Sequence, residues 1–229
     1  MNMLTTINIG TLVIGTYNLM IGLGAFGMLL CTLKRKIRFQ INSFQCIVFS
    51  LLLTLCGIAG AKLLYFLESG LQSTGGVSFF GSVYLIPFVM PVIGLLFHLS
   101  FSKTLDLCAP CVAVMIGFIR IGCLLCGCCG GWVVYVGDYY FAWPTQIMES
   151  IGDFLILFML LHTEAKGSWT GLLYPLFMFS YSVMRFFLEF LRYTPDKWFG
   201  LGHGQWFAIM AILVSLLWIA IQKKKSKTA

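Results

Sequence analysis

The chain has 229 residues, of which 59% are hydrophobic and only 10% charged, and its mean hydropathy is +0.93; an average soluble domain is about 45–50% apolar and about 25% charged. That composition excludes a soluble globular protein and leaves no room for a sizeable soluble domain, so the whole chain reads as a single integral membrane domain. The net charge of +7, from 15 Lys and Arg against 8 Asp and Glu, is concentrated in short clusters beside apolar runs, which is the pattern of membrane orientation and not of nucleic-acid binding.

The N-terminus, MNMLTTINIG, has no positive segment ahead of the first apolar run, so it does not read as a cleavable signal peptide. Spans of about 20 residues are expected near residues 8–31, 42–67, 82–101, 106–127, 144–163, 171–192 and 203–222. Ten basic residues (Lys34, Arg35, Lys36, Arg38, Lys103, Lys166 and the tail Lys223, Lys224, Lys225 and Lys227) all fall on one side of that arrangement. By the positive-inside rule this side is cytoplasmic. The expectation is an all-α, polytopic transmembrane helix bundle of seven spans, N-terminus outside and C-terminus cytoplasmic.

The outer connections, 68–82 and 127–143, are rich in Gly, Ser and aromatic residues. Irregular Gly-rich backbone beside apolar spans is tolerated where it lines a cavity or is buried in protein, and Trp and Tyr suit the headgroup level. These segments read either as interfacial elements or as ordinary loops.

Charges within spans carry the most information. A basic residue at mid-span costs about 2.5–3.5 kcal/mol on the insertion scale and needs something to offset it. Arg120 lies seven residues before the outer loop, about 10 Å deep at 1.5 Å per residue. On the sixth span Tyr181, Arg185, Glu189 and Arg192 share one face. That face is either an intrahelical ion network or one wall of a site. For the second reading speaks convergence: Tyr17, Lys62, Arg120, Gln146, Glu149 and Arg185 all fall in the outer half under this topology. A cavity with excess positive charge in low dielectric suits a phosphate, whose oxygens match the planar guanidinium fork.

Nine cysteines raise a metal reading, through the spacings Cys108-x-x-Cys111 and Cys123-x-x-Cys126. On one helix, residues 108 and 123 are separated by about 22 Å along the axis, so the two pairs cannot share an ion; no metal is assigned. Cys31, Cys46, Cys56, Cys108 and Cys111 read as small apolar fillers. Cys126 and the vicinal Cys128 and Cys129, among glycines at the outer end, are candidates for thiol chemistry. His98, His162 and His203 read as structural.

The segment RIGCLLCGCCGG (120–131) resembles the signature of the bacterial prolipoprotein diacylglyceryl transferases, in which an Arg-x-Gly-Asn-Phe-Ile-Asn-Gly-Glu-type run follows an apolar helix. TYNLM with Tyr17, GAKLLY (60–65), GGVSFFG (75–81), PTQIMES (144–150), YSVMRFFLEFLR (181–192) and GHGQW (202–206) are similar to other blocks of that family in the same order. The resemblance implies transfer of diacylglyceryl from phosphatidylglycerol, or another anionic phospholipid, to the lipobox Cys thiol of a lipoprotein precursor in a bacterial plasma membrane, with release of glycerol phosphate and without a cofactor. It implies that Arg120 and Arg185 hold the phosphate, that Tyr17 and Tyr181 line the site with them, and that Glu189 and Arg192 form supporting ion pairs. Lys62, Gly122, Gly131, Gln146 and Glu149 complete the expected binding set.

This chain departs from the family at several of those positions. Phe80 stands where the family has a His expected to help deprotonate the acceptor thiol, and Ser82 replaces a Gly. Cys123, Cys126 and Cys128 replace two Asn and a Glu, Trp143 replaces a His, and Lys62 an Arg. A related transferase with another acceptor, a non-catalytic lipid-binding paralogue and a membrane thiol oxidoreductase therefore remain as alternatives.

Overall fold

The computed structural model describes residues 6–9, 12–71, 78–137, 139–167, 171–192 and 197–228; part of the outer connection read at 68–82 lies outside them. Seven helices are described: α1 (Thr16–Phe39), α2 (Ser43–Glu68), α3 (Phe79–Leu96), α4 (Phe101–Leu125), α5 (Thr145–Ala165), α6 (Leu173–Glu189) and α7 (His203–Thr228). Five of them, α1, α2, α4, α5 and α7, are long and apolar enough to cross a membrane. Helix α3 is a shorter apolar helix with Pro87 and Pro91 inside it, and α6 has 17 residues and carries Arg185 and Glu189. The outward faces expose Phe26, Leu51, Phe88, Phe158 and Leu217, as surfaces bathed in lipid tails do.

Three short antiparallel hairpins punctuate the bundle: β1–β2 (Thr6–Ile9 with Leu12–Gly15), β3–β4 (Val133–Val136 with Tyr139–Ala142) and β5–β6 (Lys197–Trp198 with Leu201–Gly202). The first corrects the expected span from residue 8: α1 starts at Thr16. Ile7, Ile9, Val13 and Ile14 are β-branched and favour a pleated strand over a helix. Within the connection at 127–143 the aromatic stretch forms the β3–β4 hairpin, with Tyr135 paired to Tyr140 and Tyr139 exposed, while the Gly- and Cys-rich stretch before it is irregular.

Helix α4 is the axis of the bundle and is buried along most of its length. Small residues make this possible, because backbones can approach only where side chains are short. A Cβ on Gly27 of α1 would meet Val114 at 2.6 Å, and one on Gly117 would meet the Phe154 ring at 2.9 Å. Gly60 of α2 and Gly81 of α3 fit against each other in the same way, with a Cβ on Gly60 only 2.7 Å from the Gly81 carbonyl.

Arg35 also departs from expectation. Read as one of the orienting charges, it is buried and paired with Glu164, Nη2 to Oε1 at 2.6 Å. Its guanidinium also donates to the carbonyls of Asp106 at 2.6 Å and Leu107 at 2.7 Å. Pro110, four residues after Asp106 in α4, has no N–H to offer that carbonyl, and Arg35 supplies the donor instead. The Asp106 carboxylate in turn accepts from the backbone N–H groups of Gly171 and Leu173, capping an α6 whose own Leu172 provides no side-chain cap.

Candidate functional site: an arginine cage around Glu149

At the end of the bundle opposite Arg35, three guanidinium groups surround one carboxylate. Glu149, one turn into α5 and fully buried, lies 3.1 Å from Arg120 Nε of α4, 3.0 Å from Arg185 Nη1 of α6 and 3.6 Å from Arg192 Nη2 just beyond α6. Arg185 also pairs with Glu189 one turn later, at 2.7 Å. Gly204 in the first turn of α7 makes room for that carboxylate, since a Cβ there would lie 2.9 Å from it. The N-terminus of α7 therefore faces Glu189, the helix end that favours an anion.

Taking a charge out of water costs several kcal/mol, recovered only through good pairing. Three guanidinium groups share the carboxylates of Glu149 and Glu189, one positive charge in excess before Asp153 is counted. Asp153, one turn below Glu149 and completely buried, interacts electrostatically with Arg120, yet neither of its oxygens has a hydrogen-bond partner among the described residues. Tyr181 forms the floor, stacked on Phe177 at 5.9 Å between centroids and edge-on to Phe80 at 6.1 Å. Phe80 itself is buried among Tyr84, Tyr181 and Phe207.

The sequence expectation is met unevenly. Arg120, Arg185, Arg192, Glu149, Glu189 and Tyr181 come together, but Glu149 is the hub where the sequence made it one residue among several, and the network joins the Arg185–Glu189 pair within α6 to ion pairs between helices. Asp153 was missed; its spacing from Gln146 and Glu149 puts all three on one face of α5, the signal that could have found it. Tyr17 reaches the site side of α4 because Gly122 has no side chain, a Cβ there lying 3.2 Å from the Tyr17 ring. Lys62 is exposed on α2, which packs on α1 and α3, and does not join the cage. Gln146 does not face an open site; its Nε2 donates to the Cys128 carbonyl at 2.7 Å. Gly131 is required by packing, since its N–H donates to Trp143 at 3.0 Å and a Cβ would press on the Leu191 carbonyl.

The cysteine segment has a defined geometry. The Gly127 N–H donates to the Leu124 carbonyl and the Cys128 N–H to that of Cys123, both at 3.0 Å, with Gly127 at φ +68°. This is a Schellman C-cap, in which the residue after the left-handed glycine is laid against the side chain five positions earlier. Cys129, also left-handed at φ +63°, turns the chain again, and the Sγ atoms of Cys123, Cys128 and Cys129 all lie within 4.8 Å of one another. Cys126 faces elsewhere, its Sγ 3.5 Å from Thr16 Oγ1.

The Cys129 thiol is pulled down to about 5 by the neighbouring Cys123 thiol, with Arg192 and Arg120 acting in the same direction and partial burial opposing them. A depressed thiol is thiolate at neutral pH and loses that form as pH falls through its own value. Alkylation of Cys129 by iodoacetamide, followed by peptide mass spectrometry, is expected to stay flat from pH 8 to 6 and to drop with a midpoint near 5. An ordinary thiol would already be losing reactivity below about pH 8.5, and such a profile at Cys129 would refute the assignment.

Comparison with known proteins places the chain in a family. The prolipoprotein diacylglyceryl transferase family model matches residues 4–221. The chain belongs to that family. Among relatives of this diacylglyceryl transferase family member, the phosphatidylglycerol–prolipoprotein diacylglyceryl transferase 2 of Clostridium perfringens is 30% identical over 93% of this chain and 92% of its own length. The phosphatidylglycerol–prolipoprotein diacylglyceryl transferase of Dehalococcoides mccartyi is 26% identical over 95% of this chain and 94% of its own. That of Clostridium tetani is 40% identical over 41% of this chain and 42% of its own. In this member of the diacylglyceryl transferase family, then, an arginine cage coexists with an apolar Phe80 and a cluster of thiols.

Proposed function

We propose that this chain is a membrane-embedded transferase that moves the diacylglyceryl group of phosphatidylglycerol to the Cys thiol of a lipoprotein precursor, the reaction its relatives are named for. The arginine cage around Glu149 carries the reading. In the reaction the acceptor sulfur attacks the glycerol carbon bearing the phosphate; the C–S bond forms, the C–O bond breaks, and its electron pair leaves with glycerol phosphate. The lipid phosphate begins as a diester with one negative charge and departs as a monoester carrying more. Groups that bind the added charge more strongly than the ground state accelerate the step, and Arg120 and Arg185 are placed for this role. Tyr17 and Tyr181 shape the site, while Glu149, Glu189 and Arg192 hold the guanidinium groups in position.

The acceptor thiol must lose its proton to become a nucleophile. Phe80 cannot take it, and both oxygens of Glu149 are already engaged by guanidinium groups. The positive field of the arginines lowers the cost of the thiolate, and the thiol proton ends on the departing glycerol phosphate, whose monoester oxygens are more basic than those of the diester. Phe80 also favours a second reading, a relative with another acceptor or a lipid-binding protein without turnover. Incubation with headgroup-labelled phosphatidylglycerol and a lipobox peptide separates the two. Release of labelled glycerol phosphate, rising several-fold in Phe80→His, is expected. Lipid binding without release in either protein would favour the second reading.

The membrane arrangement belongs to the same proposal: a single integral domain of seven spans, N-terminus outside, in a bacterial plasma membrane, with the cage in the outer half. A cysteine-depleted protein carrying Tyr139→Cys is expected to react with an impermeant maleimide from outside, and one carrying Lys103→Cys is not. The reverse pattern would place the cage in the cytoplasmic half.

A further inference from the structure

We propose that Cys123, Cys128 and Cys129 form a binding site for one thiophilic d10 metal ion of the Zn2+ class. The cysteines are brought together by backbone geometry. In a Schellman cap the residue two beyond the C-cap and the third residue before it are neighbours, usually through an apolar contact; here those two positions are Cys128 and Cys123, and their sulfur atoms take that contact's place. The left-handed turn at Cys129 then brings the third sulfur to the same point. A Zn–S bond of about 2.3 Å puts the sulfur atoms of a shared ion about 3.8–4.0 Å apart in tetrahedral or trigonal geometry. The three Sγ atoms, all within 4.8 Å of one another, need only small rotations to reach it.

The loop is held from outside the cluster. Gln146 Nε2 donates to the Cys128 carbonyl at 2.7 Å, while Thr145 Oγ1 at 3.1 Å and Arg192 Nη2 at 2.9 Å donate to that of Cys129. A ligand set anchored in this way loses little freedom on binding, and such outer supports orient metal ligands. Cys123 is buried while Cys128 and Cys129 are exposed, so the ion enters from the loop side and has one coordination position open to water, as three-ligand sites do. Thiolate ligands select Zn2+ and Cu+ over Mg2+ or Ca2+. The thiol protons are released to solvent on binding, and the nearby arginines balance the negative charge left behind. The sequence pairing of Cys123 with Cys126 hid this set: on the helix the fourth residue of C-x-x-C turns toward Thr16 instead. The inference does not rest on the transferase reading.

The test uses the full-length protein purified in detergent, kept reduced with a phosphine and stripped with a chelator. Equilibration with Zn2+ and desalting are expected to leave about one ion per chain by elemental analysis, and titration with Cd2+ to give the ultraviolet thiolate-to-metal charge-transfer band. Cys123→Ser, Cys128→Ser and Cys129→Ser should each weaken binding by at least about 100-fold, the upper scale on which even outer-shell partners act. Cys56→Ser, on α2, should leave it unchanged. Because a serine variant could misfold, maleimide footprinting of the unaltered protein supplies a second reading, with Zn2+ expected to protect the exposed Cys128 and Cys129 selectively. Absence of retained Zn2+, survival of the Cd2+ band in the triple serine variant, or protection of other cysteines instead would overturn the site.

Discussion

Arg120→Ala and Arg185→Ala are each expected to lower phospholipid turnover by at least about 1,000-fold, the scale on which a single guanidinium stabilises transition-state charge on phosphate oxygens, while the protein still inserts and folds. The structure makes the second half of that expectation reasonable. Removing one arginine leaves Glu149 paired with the other two, and in Arg185→Ala, which also takes away the 2.7 Å partner of Glu189, the N-terminus of α7 still faces that carboxylate. Lysine at either position is expected to restore only part of the rate, because an ammonium restores the charge but not the two parallel donors of the guanidinium fork. The measurement is release of labelled glycerol phosphate from phosphatidylglycerol, with lipid affinity followed separately. Unchanged turnover in either alanine variant would remove the phosphate from this cage. Equal loss of binding and rate would instead assign the arginine to ground-state attraction.

What made these arginines legible in the sequence was their cost. An arginine at Arg120 or Arg185, deep in an apolar run, must be offset, so its presence pointed to an anion before any partner was known. Arg35 was misread for the same physical reason in reverse: at the edge of a run and among Lys34, Lys36 and Arg38 it looked solvated. Its burial depends on Glu164 and on a carbonyl freed by Pro110, both more than 70 residues away. The helices were legible from apolar length, but the β1–β2 hairpin was not, because Ile7, Ile9, Leu12, Val13 and Ile14 before Thr16 satisfy a hydropathy window as well as a helix does. Gln146, picked by its place in the outer half, and Gly131, picked by resemblance, hold the loop through the Cys128 carbonyl and through close packing on Leu191 and Trp143. Periodicity locates a residue on a face; it does not say which neighbour occupies that face. The place of Glu149 at the centre of the cage follows from how α4, α5 and α6 pack, and no single helix contains that information.

Glu149→Gln should be the most damaging single change to the lipid-free protein. Removing one partner from a buried ion pair costs about 3–5 kcal/mol, because the remaining charge is left without compensation, and here three guanidinium groups share the loss. At roughly 2–4 °C per kcal/mol for a chain of this size, the unfolding midpoint in detergent should fall on the order of 10 °C. The same argument fixes the response to ligand. With the carboxylate gone, an anionic phosphate becomes the best available partner for Arg120, Arg185 and Arg192, and it binds the folded protein alone, which raises the midpoint by mass action. Phosphatidylglycerol should therefore stabilise Glu149→Gln more than it stabilises the unaltered protein, and diacylglycerol, which has the tails without the phosphate, should not. A variant as stable as the original without lipid would mean that the arginines do not depend on Glu149. A variant rescued equally by diacylglycerol would mean that the tails, and not the arginine cage, account for lipid binding.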